Sequence, residues 1–189
     1  MAEREFDLVV WGASGLTGHL VTEYLVRTYG TEGDLNWAIA GRNPEKLEQV
    51  RDECLPKNRR KSLPVLIADS GDPASLARMT ARTRVICSTV GPYAKYGTPL
   101  VAACTEEGVD YCDLTGEVQW MARVIPAYQG AAMGSGARIV HTCGYDSIPF
   151  DIGTWYLQQE MLERYGVPAR QVKTRVGRTR GGASGGTIA

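Results

Sequence analysis

Apolar runs and amphipathic stretches alternate along this chain from Leu8 to Arg164. Leu8-Val9-Val10-Trp11 and Trp37-Ala38-Ile39-Ala40 are short, continuous apolar runs. Leu63 to Ala68, Arg84 to Val90, Val109 to Asp113 and Ala137 to Cys143 read the same way, with Val85-Ile86-Cys87 the densest. Strands covered on both faces give continuous runs of this kind. Between the runs the spacing turns helical. Leu16, Leu20 and Tyr24 recur every four residues, with Val21 and Leu25 beside them. Leu47, Val50 and Cys54 make a second face, and Leu100, Val101 and Cys104 a third. Val118 to Ala132 is helical in pattern, but Pro126 predicts a break or kink there. Phe150 to Arg164 is a long helix.

The punctuation agrees with the periodicity. Asn43-Pro44, Asp72-Pro73 and Thr98-Pro99 each place a capping side chain before a proline suited to a first helical turn. Gly108 suits a helix stop. Six strands alternating with helices through short connections predict an α/β fold, a parallel sheet wound on both faces. Ligands of such sheets sit beyond the C-terminal ends of the strands. Six loops should therefore share one rim: Gly12–Gly18, Gly41–Asn43, Asp69–Asp72, Gly91–Tyr96, Thr115–Glu117 and Gly144–Pro149.

The first of these loops is Gly12-Ala13-Ser14-Gly15-Leu16-Thr17-Gly18, between a strand and a helix. Gly12 lets the chain turn out of the strand, Gly15 lets a pyrophosphate approach the backbone, and Gly18 lets the helix pack closely on the sheet. The first helical amides and the helix dipole then favour phosphate. That context makes the doubly wound sheet a Rossmann-type dinucleotide-binding domain, placed at residues 1–165. Further on, Val172, Thr174 and Val176 alternate with Lys173, Arg175 and Gly177. Gln171 to Arg178 thus reads as a half-exposed strand, with residues 166–189 opening a second, substrate-binding α+β domain. Its open edge would allow a homodimer.

Composition narrows the function. The 189 residues are 43% apolar and 22% charged, with a formal net charge of zero, which argues against a nucleic-acid surface. The basic run of Lys57, Arg59, Arg60 and Lys61 lies between a helix and a strand and reads as a solvated loop. No apolar stretch approaches a membrane span. The chain passes from Glu3-Arg4-Glu5 into a strand without a secretory signal pattern. The five cysteines form no C-x-x-C pair and read as reduced, buried residues of a cytoplasmic protein. The two histidines, His19 and His141, stand far apart, so no metal site is expected.

The loops together resemble one family. The glycine turn is joined by Ala40-Gly41-Arg42, Val90-Gly91-Pro92-Tyr93, Asp113-Leu114-Thr115-Gly116-Glu117, Cys143-Gly144-Tyr145-Asp146-Ser147-Ile148-Pro149 and Ser184-Gly185-Gly186-Thr187. In that order they resemble the saccharopine-dehydrogenase-like oxidoreductases, and within them the branch that includes trans-acting enoyl reductases. The resemblance implies that this chain is the N-terminal part of a protein about twice as long, inactive by itself.

The cofactor-binding candidates are Gly12, Ala13, Ser14, Gly15, Leu16, Thr17, Arg42, Asn43, Asp69, Ser70, Val90, Gly91, Pro92 and Tyr93. Arg42 stands 24 positions after Gly18, where an acid would bind the ribose hydroxyl of NAD and an arginine accommodates the 2′-phosphate of NADP. NADP is thus expected over NAD. Asp69 and Ser70 suit either the adenine edge or a helix-entry turn. Tyr93 is expected near the nicotinamide, or else packed in a turn. Tyr96, Tyr145, Asp146 and Ser147 are the substrate-side candidates. No tyrosine has a lysine four positions on, so a short-chain dehydrogenase pair is absent and the catalytic acid stays unassigned. Cys143 with His141 two residues away leaves an acyl-enzyme nucleophile open beside plain packing. The resemblance implies hydride transfer from NADPH to an unsaturated acyl or imine substrate, small or carrier-bound. The alternative is a module that senses NADP(H) without turnover.

Overall fold

The computed structural model describes residues 4–178. Six strands form one sheet: β1 (Phe6–Trp11), β2 (Trp37–Gly41), β3 (Val65–Ile67), β4 (Thr83–Ser88), β5 (Asp110–Asp113) and β6 (Ile139–Val140). The order is β3-β2-β1-β4-β5-β6, and every pairing is parallel. The chain winds outward from β1 in one direction, then returns past it in the other. The switch falls between β1 and β4, where a crevice must open at the strands' C-terminal ends.

The helices are α1 (Leu16–Tyr29), α2 (Pro44–Cys54), α3 (Pro73–Thr80), α4 (Tyr93–Tyr96), α5 (Thr98–Glu107), α6 (Val118–Ser135) and α7 (Ile148–Tyr165). The sheet's two faces carry two separate cores. Val10 and Ile39 pack with Leu25 of α1 and Leu47 of α2. Val9, Ala38 and Ile86 pack with Leu76 of α3, Leu100 of α5 and Trp120 of α6. Two helix starts form as their residues dictate: Asn43 Oδ1 accepts from the Lys46 amide at 2.9 Å, and Asp72 Oδ1 from the Ala74 amide at 3.0 Å. Thr98 does not cap α5: Gly97 precedes the helix, and the Thr98 hydroxyl accepts from Trp120 Nε1 at 2.9 Å instead. Gly108 ends α5 in the left-handed conformation, at φ 64°.

Four further expectations need correction. The face of α1 that enters the core is Gly18, Thr22 and Leu25, whereas Leu16, Leu20 and Tyr24 are exposed. The four-residue recurrence was real, but Gly18 must sit against the turn, which rotates that stripe outward. Second, Pro126 does not interrupt α6, which runs unbroken from Val118 to Ser135. Pro126 and Ala122, whose carbonyl it leaves unpaired, both lie on the exposed side where water can serve that carbonyl. Third, β6 keeps only Ile139 and Val140 of the seven-residue run, and Cys143 is exposed beyond it. Fourth, Gln171 to Arg178 is not a strand; among the described residues no neighbour pairs with it, and an unpaired strand has no ladder. Ser184 to Thr187 lie outside the described residues.

The basic run does lie outside the core, as a 3-10 turn over Lys57–Ser62 in which Arg60 pairs with Asp52 at 2.8 Å. No helix among the described residues is long and apolar enough to cross a membrane.

Candidate functional site

At the switch point, a crevice of about 450 Å³ runs along the ends of β1 to β4. Its floor is the glycine turn: Gly12, Ser14, Gly15, Leu16 and Thr17. Gly12 has φ 88°, and a Cβ there would stand 2.5 Å from Val90 Cγ2. A Cβ on Gly18 would stand 2.2 Å from the Gly12 carbonyl oxygen. These two glycines therefore shape the turn. Gly15 differs: a Cβ there would meet only the Gly12 oxygen, at 3.4 Å, and its free side is the crevice. Gly15 is also the N-cap of α1, with no side-chain cap and no acid in the first turn. The first amides of α1 are thus left for an anion.

The walls come from three more loops. Gly41 and Arg42 follow β2, Asp69 and Ser70 follow β3, and Thr89, Val90, Gly91 and Tyr96 follow β4. Arg42 is exposed at the rim, and its guanidinium joins none of the ion pairs among the described residues. Asp69 Oδ1 is held by the Gly71 amide at 2.7 Å, so its carboxylate closes its own turn. Thr89, a position the sequence did not single out, donates from Oγ1 to the Trp11 carbonyl at 3.0 Å. That bond ties the end of β4 to the start of the glycine turn.

A crevice with an open glycine in its floor, a free helix start and one arginine outside every ion pair among the described residues suits a dinucleotide with an added phosphate. The saccharopine dehydrogenase NADP-binding domain matches residues 8–140. This chain belongs to that family. Its cofactor is NADP. A Mycobacterium tuberculosis protein provisionally named as a trans-acting enoyl reductase is 44% identical over 186 residues, which cover 98% of this chain and 43% of that relative. A trans-acting enoyl reductase of Mycobacterium ulcerans is 43% identical over 162 residues, covering 86% and 38%. The chain thus spans about two fifths of the length of these relatives.

The fold of this NADP-binding domain is shared with apo saccharopine dehydrogenase (L-Glu forming) of Saccharomyces cerevisiae, at TM-score 0.61 and 16% identity, over 84% of this chain and 31% of that one. Citrobacter triphenylmethane reductase superposes at TM-score 0.54 and 20% identity, over 71% and 48%.

Some candidate residues stand away from the crevice. Ala13 is fully buried in the core beneath α1. Asn43 spends its side-chain oxygen on capping α2. Tyr93 is 5% exposed, stacks on Trp120 with centroids 5.5 Å apart, and donates its hydroxyl to the Ser88 carbonyl at 3.1 Å. Burial pushes its phenol well up, which suits a strut and not a proton donor. Its loop is pinned from outside: Glu117 accepts the amides of Tyr93 and Ala94 at 2.5 and 2.8 Å. Tyr145 and Asp146 are exposed, Ser147 precedes α7, and none of the three lines the crevice. Tyr145 packs on Phe150 instead.

Cys143 does not pair with the His141 ring; its Sγ lies 3.6 Å from the Val140 carbonyl oxygen. Burial, with Cys112 and Asp113 nearby, pushes that thiol up, opposite to what a nucleophile needs. His141 instead turns Nδ1 to Asp113 Oδ2 at 2.7 Å. Sequence spacing could not reveal that pair, because 28 positions separate Asp113 at the end of β5 from His141 just past β6. Among the described residues no cluster of ligands could hold a metal.

Proposed function

We propose that this chain is the NADPH-holding part of an oxidoreductase that reduces an unsaturated acyl group, small or carrier-bound. The observation that carries the reading is the crevice, with Gly15 open at its floor and Arg42 unpaired at its rim. Arg42 holds the 2′-phosphate and so selects NADPH over NADH. Gly12 to Thr17 receive the pyrophosphate, and Asp69 and Ser70 flank the adenine. Val90 and Gly91 run beside the cofactor toward the nicotinamide. The cofactor supplies the hydride. The chain's own task is to fix that dinucleotide in one orientation and keep its reactive ring at the end of β4.

The names of the relatives favour an enoyl over an imine acceptor. In this reading Tyr96 faces the acceptor from the crevice wall. Tyr145, Asp146 and Ser147 approach it from the loop before α7. Residues 1–165 are the cofactor domain, and residues 166–189 open the substrate-binding unit of a cytoplasmic protein. The rival reading, an NADP(H) sensor without turnover, shares the same crevice.

Following NADPH absorbance with an enoyl thioester separates the two. The enzyme reading expects turnover by a form extended to the relatives' length, and binding without turnover by these 189 residues. No turnover by the extended form would leave the sensor.

A further inference from the structure

One row of side chains crosses the sheet from β1 to β6. Val10 stands beside Cys87, Cys87 beside Cys112, and Cys112 beside Val140, at paired positions on parallel strands. Side chains at paired positions share a face, and successive residues of a strand alternate between faces. Ile86 and Tyr111 belong to the core that contains Leu76, Leu100 and Trp120. Cys87 and Cys112, each one residue later, therefore point to the opposite face. Helices α1 and α2 cover that face over β1 and β2. Toward β6 the cover runs out: Val10 is sealed, Cys87 and Cys112 are half-buried, and Val140 is 52% exposed. Neither cysteine lines the cofactor crevice.

The two thiols are placed to act on each other. Adjacent strands lie about 4.8 Å apart, within the Cα separation that a disulfide spans. The Cys112 thiol donates a hydrogen bond to the Cys87 sulfur. That bond holds the Cys87 thiol below its usual range, against the opposing effect of burial. The same bond, with burial added, pushes the Cys112 thiol up. One sulfur is thus the better thiolate, and its neighbour keeps a proton beside it. None of the other three thiols is favoured. Cys104 is sealed and pushed up by burial. Cys54 is pushed up by burial with Glu23 and Glu53 nearby, and Cys143 by burial with Cys112 and Asp113.

We propose that Cys87 and Cys112 form a dithiol that reacts with hydrogen peroxide and closes reversibly into a cross-strand disulfide. The Cys87 thiolate attacks one peroxide oxygen. An S–O bond forms, the O–O bond breaks, and the other oxygen leaves as water with the proton that Cys87 gave up. Cys112 then attacks the Cys87 sulfur of that sulfenic acid. The S–S bond forms, the S–O bond breaks, and the departing oxygen takes the Cys112 proton to leave as a second water. Two electrons pass from the thiols to the peroxide, and a thiol reductant returns them. The site stands apart from the NADPH and enoyl readings, since both sulfurs lie on the sheet face and not in the crevice.

The test treats the reduced 189-residue chain with hydrogen peroxide, counts thiols after unfolding, and maps the bridged peptides. The chain has five cysteines, and we expect the count to fall by two, with Cys87 joined to Cys112. Dithiothreitol should restore all five. Cys143→Ser should form the same bridge. Cys112→Ser should stop at the sulfenic acid, which dimedone traps on Cys87. Should that variant fail to fold, the bridge mapped in the unmodified chain decides. An unchanged thiol count in the unmodified chain would overturn the proposal. So would a bridge to Cys143, a bridge between two chains, or dimedone on Cys143 with none on Cys87.

Discussion

Two hollows of this molecule are built from different materials. The switch-point crevice is organised on a glycine turn and the open start of a helix, with loops from three strand ends as its walls. The cleft beside β6 is lined by side chains of two helices and a strand end, apolar ones with Tyr128, Gln129, Thr142 and His141 among them, and the imidazole is held by a buried carboxylate. Backbone sites need particular glycines at fixed spacing, because any Cβ would fill the space or strain the turn. Such a site is written locally in the sequence. A side-chain site is assembled across strands and leaves no local signature.

That contrast predicts different responses to mutation. The largest effect should come at the crevice floor. Gly15 has φ −84° and room for a Cβ, so Gly15→Val should fold normally. Its branched side chain enters the phosphate space, and NADPH affinity should fall by at least about a hundredfold, ~2.7 kcal/mol. Calorimetric titration checks binding and a thermal melt checks folding; normal binding would place the phosphate site elsewhere.

At the cleft the loss should appear as stability. Asp113→Ala leaves Tyr111, His141 and two amides without their shared acceptor. Denaturant unfolding should show a loss of about 2 kcal/mol. An unchanged midpoint would mean that the network is not closed as described.

Glu117 links the two regions by holding the loop that carries Tyr93. Glu117→Ala should cost about 1 kcal/mol of stability and weaken NADPH binding several-fold, because the crevice wall at Gly91 loses its brace. Loss of stability with full affinity would show that the crevice does not need that brace. The smallest effect concerns Cys143, whose thiol is pushed up by burial and neighbouring negative charge. Iodoacetamide at neutral pH should label it slowly, and the labelled protein should still bind NADPH. Rapid labelling would restore the nucleophile reading.

Most of the fold was legible because alternation and capping are local. Asn43 and Asp72 cap the helices they precede, and the continuous runs became strands in a doubly wound order. The rim loops were legible in the same way: four of the six line the crevice. The failures share a tertiary origin. Which stripe of α1 is buried depends on how close Gly18 comes to Gly12. Tyr93 shares a loop with Gly91, yet its ring turns inward onto Trp120. His141 looked like a partner for Cys143 two residues away, and its true partner stands on the neighbouring strand. Helix α7 has no buried residue at all, so its periodicity predicted the helix but not its surroundings.

The central claim is that the crevice holds NADP through Arg42. Fluorescence titration of NADPH and NADH against the unmodified chain and Arg42→Ala tests it most directly. The account predicts tighter NADPH binding in the unmodified chain and a loss of about tenfold for NADPH in the variant, with NADH little changed, since a charge-assisted hydrogen bond contributes roughly 1.5–3 kcal/mol. Equal losses for both dinucleotides, or tighter binding of NADH by the unmodified chain, would contradict it.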